Sequence, residues 1–147
     1  MLYSVRVNSQ MRIRAYRPKD ELYICPNEYM IGWDNDCYTC KDDLRDGQAW
    51  TIESDSGSIE GIACFYATGS GMNVRCWMLL NDGCPAIIMR AIKYIVKKYL
   101  TAGFKLYTIS ISNDKQDHMH RFLGFECVRI IRGEKLWVKR GKVKRRA

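Results

Sequence analysis

Within "SNDKQDHMHRFLGFE", residues 112–126, the side chains best suited to chemistry are Asn113 and, seven positions on, His120. An Asn amide at the carboxyl end of a strand offers a donor and an acceptor to a ligand in the crevice where α/β sheets bind. Two helical turns later His120 can point back into the same crevice, and an imidazole exchanges protons near neutral pH. Together they suit a reaction that moves a proton at a bound ligand. Asp117, three residues ahead of His120, is placed to orient it as an ion-pair partner across one turn, whereas His118 lies one position off that face. Gly124 and Phe125 need only a structural reason: a glycine ends a helix in the left-handed region, and the aromatic opens the next strand toward the core.

Other reactive types are less organised. Cys37-Tyr-Thr-Cys40, with Cys25 upstream, is one half of a zinc knuckle, and a tetrahedral site needs a second pair that the spacing does not supply. Structural or surface thiols are the expectation there, and Cys64, Cys76 and Cys127, set in apolar runs, are expected as small buried hydrophobes. The net charge is +8, but six positive charges lie between Lys139 and Arg146, which leaves +2 for the rest of the chain. A weak nucleic-acid contact is therefore expected of the segment Lys139–Arg146 alone. With 147 residues, 47% of them hydrophobic and 27% charged, one core is expected. No apolar run approaches the ~20 residues that cross a bilayer. The opening "MLYSVRVNSQ" lacks a secretory h-region, so the expected location is cytoplasmic with no membrane contact.

These groups need elements to hold them. "MRIRAY", Met11 to Tyr16, alternates as a strand until Pro18 stops it, and Asp20 can cap a helix. Residues 21–46 suit one or two short helices, broken by Pro26 and Gly32, that either fill irregular core or close over a cleft. Ala49–Glu53, Ile59–Ala67 and Met72–Leu80 form an antiparallel meander with turns at Gly57 and Gly69. Asn81 or Asp82 and Pro85 signal a helix start. Ile87, Ile88, Ala91, Ile92, Ile95, Val96, Tyr99 and Leu100 then make one broad stripe that must pack on a sheet, ended by Gly103. Lys105–Ser112 is a strand, and a right-handed crossover makes it parallel to residues 72–80, adjacent or splayed. A short helix over 115–123 and a hairpin of Phe125–Arg132 with Lys135–Lys139 complete the chain.

That order, β-α-(α)-β-β-β-α-β-α-β-β, resembles the GNAT fold of acetyl-CoA-dependent N-acetyltransferases. The resemblance implies an α+β class: one mixed, mostly antiparallel sheet with helices on both faces and a splayed parallel pair, over residues 1–139, with a basic tail at 140–147. In that family an Asn ends the strand after the long helix, a Tyr follows seven residues later, and Gly-Phe stands at +11 and +12; here those places hold Asn113, His120, Gly124 and Phe125. The resemblance implies that Met78, Leu79 and Leu80 hold the pantetheine arm with Asn113, that His120 protonates the departing thiolate, and that the acceptor is an amine. The family's Gly-rich pyrophosphate loop is reduced here to "LLNDGCPAII", where only Gly83, Cys84 and Ala86 offer a nest, Asp82 repels phosphate and Pro85 lacks an amide. Two missing contacts of ~1.5 to 3 kcal/mol each predict acetyl-CoA binding weakened about a hundredfold, or lost. Cys76-Trp77, His120-Arg121-Phe122-Leu123 and Gly124 are in addition similar to small GNAT-like internal virion or morphogenesis proteins of short-tailed bacteriophages. That likeness implies a degenerate scaffold with a protein partner as the alternative to an enzyme.

Overall fold

The computed structural model describes residues 4–8, 10–24, 47–67, 72–111 and 114–141. Strands β1 (Ser4–Arg6) and β2 (Met11–Ala15) lead into a 3₁₀ turn, Pro18–Tyr23. β3 (Gln48–Ser54), β4 (Ile59–Ala67) and β5 (Asn73–Leu80) form the meander. Helix α1 (Ile88–Thr101), β6 (Lys105–Ile111), α2 (Asp114–Phe122), β7 (Glu126–Ile131) and β8 (Glu134–Lys139) follow. Among the described residues the eight strands join one sheet in the order β1-β2-β3-β4-β5-β6-β8-β7, antiparallel throughout except for β5 beside β6. The mixed sheet and the parallel pair agree with the sequence expectation, and β1 is an added edge strand. Of residues 21–46, where one or two short helices are expected, Glu21–Tyr23 belong to the 3₁₀ turn and residues 25–46 lie outside the described residues.

Alternation along the strands sorts side chains to two faces. One face carries Met11, Ile13, Ile52, Ala63, Phe65, Val74, Cys76, Leu80, Leu106 and Trp137, and α1 covers it with the predicted stripe: Ile88, Ala91, Ile92, Ile95 and Val96 are all buried. Leu123 and Phe125, at the end of α2, fill the same core. The opposite face holds a smaller cluster of Ile24, Ile62, Cys64 and Leu79, with Tyr16 and Trp77 packed against it.

Three local devices fix this arrangement. Gly61 lets the first turn of α1 approach the sheet closely, because a Cβ there would stand 2.9 Å from Ile88 Cδ1 and 3.1 Å from the Leu79 carbonyl oxygen. Asp20 is expected to cap a helix and does so within a buried network. Its Oδ2 accepts from the Arg17 amide (2.8 Å) and the Thr51 hydroxyl (2.6 Å), while Arg14 donates to both carboxylate oxygens at 2.9 Å and to Glu53 at 3.0 Å. Burial works against ionisation of Asp20, but Arg14, Thr51 and the Arg17 amide outweigh it and hold the carboxyl below its usual range. Tyr99, stacked on Phe65 at 4.0 Å, ties α1 to β3 by accepting from Trp50 Nε1 at 3.0 Å.

Two expectations change. The helix after β5 starts at Ile88 with Ile87 as an uncapped N-cap, and Pro85 lies ahead of it. Asn81 does not cap it: its side-chain amide donates to the Ile59 carbonyl at 3.4 Å, and its main-chain carbonyl accepts the Cys84 amide (3.1 Å), closing a turn before the helix. Cys127, expected in the core, is exposed, since β7 is the edge of the sheet; Cys64 and Cys76 are buried as expected. Burial pushes the Cys76 thiol up to about 12.

Replacing Gly61 by Val is expected to cost about 1–3 kcal/mol by overpacking against Ile88 and Leu79, a fall in Tm of roughly 2–10 °C for a chain of this size. Scanning calorimetry checks this, and a wild-type Tm would show that the α1–β4 approach has slack.

Candidate functional site

The site is a parting of strands. β5 and β6 pair over Asn73↔Lys105, Val74↔Leu106 and Arg75↔Tyr107, and there the ladder ends. Beyond it β5 continues to Leu80 against β4 alone, while β6 continues to Ile111 against β8 alone. The expectation of a divergence near Trp77 and Tyr107 is met within two residues. Cys76 marks the apex, its Sγ donating to the Tyr107 carbonyl at 3.6 Å.

Backbone alternation shows what faces the gap. The Asn81 amide donates to the Glu60 carbonyl, so odd-numbered residues at this end of β5 turn their main-chain groups to β4 and even-numbered ones turn theirs to β6. Met78 and Leu80 therefore present amide and carbonyl to the gap. Leu79, grouped with them on sequence, is turned the other way: its main chain serves β4 opposite Ile62 and its side chain lies in the opposite-face cluster. On the far wall, Lys105 donates its amide to the Met72 carbonyl, so the same alternation brings the main chain of Ile109 to the gap. Sequence reasoning missed Ile109. Its signal was positional, since Ile109 alternates with the paired Lys105 and Tyr107 along β6.

Asn113 itself lies outside the described residues, between the end of β6 and the start of α2. His120 is described, and it sits deeper than its sequence suggests: 7% exposed, with its ring stacked on Trp137 at 5.0 Å and edge-on to Phe125 at 6.2 Å. Trp137 in turn donates Nε1–H to the Ser110 hydroxyl at 2.8 Å, so β6, β8 and α2 share one buried contact chain. The His120 Nδ1 is 2.7 Å from the Gln116 carbonyl, which can only accept. That fixes the tautomer with Nδ1–H donating and Nε2 carrying a lone pair. Burial lowers the His120 pKa against the Gln116 carbonyl and Asp117, which favour the proton, and the ring is neutral at pH 7. Asp117, expected to orient His120 as an ion-pair partner, pairs instead through its Oδ2 with Lys135 and acts on His120 only through its charge. His118 is exposed.

The segment after β5 is a poor anion site. Gly83 adopts φ +71° and is exposed, as is Ala86. The Cys84 amide is committed to Asn81. Burial, followed by the negative charges of Glu60 and Asp82, raises the Cys84 thiol pKa, so the local field is negative. Cys25, Cys37 and Cys40 lie outside the described residues, and among the described residues no group of three or more His, Cys, Asp or Glu is placed to hold a metal.

This architecture has close counterparts among solved structures. An acetyltransferase from Agrobacterium tumefaciens superposes with a TM-score of 0.69 at 10% identity, over 95% of each chain. A GCN5-related N-acetyltransferase from Kribbella flavida gives 0.69 at 12%, covering 88% of this chain and 97% of its own. The chain has the GNAT fold. The Microcin C7 self immunity acetyltransferase MccE, solved in complex with acetyl-CoA and AMP, gives 0.67 at 14%, over 95% of this chain and 97% of its own. No family model matches the sequence, and no curated protein matches it. The GNAT frame agrees with the sequence expectation for the fold, and among the described residues no helix is long and apolar enough to cross a membrane.

The neutral, buried imidazole has a consequence for stability. Its folded pKa lies below the ~6.5 of an unfolded histidine, so the unfolded chain takes up the proton first as pH falls. The contribution is fully present above about pH 6.5 and is lost as pH drops from there toward the folded value. Tm measured from pH 7.5 to 5 should decline through this window, and His120→Phe, which keeps the stack on Trp137, should flatten the decline.

Proposed function

We propose that this chain is an N-acetyltransferase that uses acetyl-CoA to acylate an amine. The observation that carries the reading is the end of the β5–β6 ladder after Arg75 and Tyr107, which turns the main chains of Met78 and Leu80 toward an open gap on a GNAT frame. Acetyl-CoA, when bound, supplies an activated acetyl thioester. The gap fits its pantetheine arm, whose amides find unpaired main-chain groups at Met78 and Leu80, and Asn113 is proposed to close the far end. Its phosphates fit less well, because Asp82 and Glu60 oppose them, Pro85 has no amide and the Cys84 amide is committed; Gly83 and Ala86 retain theirs. Weak cofactor affinity is part of the proposal. His120 is neutral with its lone pair on Nε2, so it is assigned first to accept the proton that the amine sheds, and then to return that proton to the departing thiolate.

A second reading has its own support. The acidic, proline-interrupted loop and the buried position of His120 suit a GNAT-like scaffold that has given up its cofactor for a protein partner. The sequence likeness of residues 72–126 to bacteriophage virion proteins belongs with this reading.

Thermal shift separates the two. Acetyl-CoA at a hundred times its Kd adds ~2.7 kcal/mol, several degrees for this size. A shift with acetyl-CoA and turnover on a panel of amines supports the enzyme, whereas no shift at millimolar ligand supports the scaffold. In the enzyme, Asp82→Asn should tighten acetyl-CoA about two- to fivefold by removing a charge beside the phosphates, measured by titration calorimetry. Unchanged turnover in His120→Phe would remove the proton role of His120.

A further inference from the structure

The outward side of α1 carries Arg90, Lys93, Lys97 and Lys98, all exposed, and the helix contains no acidic residue. Lys93 reaches toward the end of α2. Lys93 Nζ stands 5.0 Å from the Phe122 ring centroid, Lys98 Nζ lies 5.3 Å over Tyr94, and the Arg121 guanidinium is 5.8 Å over Trp137. Lys139 Nζ donates to the Leu123 carbonyl at 2.7 Å, the last turn of α2. Among the described residues, none of Lys93, Lys98, Arg121 and Lys139 is paired with a carboxylate. Among the described residues their partners are ring faces and a carbonyl, which carry no negative charge to offset them. Burial and the nearby charge of Lys93 both lower the Lys139 pKa, as expected for two ammonium groups facing each other without an anion.

A Cβ at Gly141 would lie 3.1 Å from the Leu100 carbonyl oxygen, so the backbone just after β8 meets the last turn of α1. Lys142, Lys144, Arg145 and Arg146 follow in the sequence. Phe122, 45% exposed, offers a ring beside these cations. Lys139 registers with Leu106 at the start of β6, on the paired side of the β5–β6 seam, so the patch is distinct from the gap beyond Tyr107.

From this placement we infer that the α1–α2 surface centred on Lys93, Lys97, Arg121 and Lys139 binds a single-stranded polynucleotide, with phosphates on the cations and a base on Phe122. A run of uncompensated positive charge attracts a polyanion and releases its counterions. An exposed aromatic set among the cations gives unpaired bases a stacking surface that a duplex cannot use. An anionic membrane is the poorer occupant, because the apolar residues of α1 (Ile88, Ala91, Ile92, Ile95 and Val96) are all buried against the sheet and leave no face to insert.

Fluorescence anisotropy of a labelled oligouridylate of about 20 nucleotides, titrated with the full chain, tests this. The expected dissociation constant rises at least tenfold between about 50 and about 200 mM salt. Lys93→Glu with Lys97→Glu should weaken binding tenfold or more and flatten the salt slope by about two. The milder pair Lys93→Gln with Lys97→Gln should move both the same way, with the fold checked by circular dichroism. Phe122→Ala should lose more affinity for the single strand than for a duplex of the same length. The inference is overturned if the full chain binds no oligonucleotide. It is equally overturned if the α1 variants bind like wild type while neutralising Lys142, Lys144, Arg145 and Arg146 to Gln abolishes binding. Tighter binding to phosphatidylserine vesicles than to the oligonucleotide at equal salt would assign the surface to a membrane instead.

Discussion

Three registered pairs between β5 and β6 are the constraint on which the rest of this molecule turns. Each strand is fully committed on its other side, β5 to β4 along Val74–Leu80 and β6 to β8 along Leu106–Ile111. The sheet is thus two continuous antiparallel slabs joined by a short parallel seam. In a sheet, an unpaired main chain facing a neighbouring strand is costly when buried, because its amide and carbonyl lose water without gaining a partner. The alternation turns the main chains of Met78 and Ile109 toward each other beyond the last registered pair, where neither strand continues the ladder.

The two slabs are reinforced separately. On the β4–β5 side, Gly61 admits α1 so closely that Ile88 plugs the top of the core. The buried Arg14–Asp20–Thr51 network fastens the 3₁₀ turn to β2 and β3, and the Tyr99–Trp50 bond fastens α1 to β3. On the β6–β8 side, Trp137 is the centre: it bonds Ser110, stacks on His120 and is fully buried. His120 therefore has a structural duty whatever chemistry it performs. Its neutral state is favoured by the same aromatic packing that holds α2 against the sheet.

Much of this was readable from residue order. β4 spans the residues assigned to it, and β5, β6 and the closing hairpin fall within one or two residues of expectation, because long alternating runs and a broad helical stripe leave little ambiguity. The failures have physical causes. β1 is three residues long and shows too little alternation to register as a strand. The alternation of β7 gave no hint that it would be an edge, so Cys127 was expected inside. Periodicity placed His120 on the inner side of its helix but could not say whether that side met a crevice or a tryptophan. Leu79 was grouped with Met78 and Leu80 because a strand read as a block ignores which main-chain groups are already bonded. Asn113 falls outside the described residues, so its expected role at the gap rests on sequence alone.

A further consequence of the short seam is mechanical. A force that draws β4 and β8 apart meets long ladders within each slab and only three parallel pairs between them, so rupture begins at Arg75 and Tyr107 and unzips toward Asn73. Helix α1 is the tether that remains, since it leads from the end of β5 back to the start of β6 and packs on residues of both slabs. The molecule is thus built as a clasp, in which a small parallel catch and one covalent strap keep two stiff plates together.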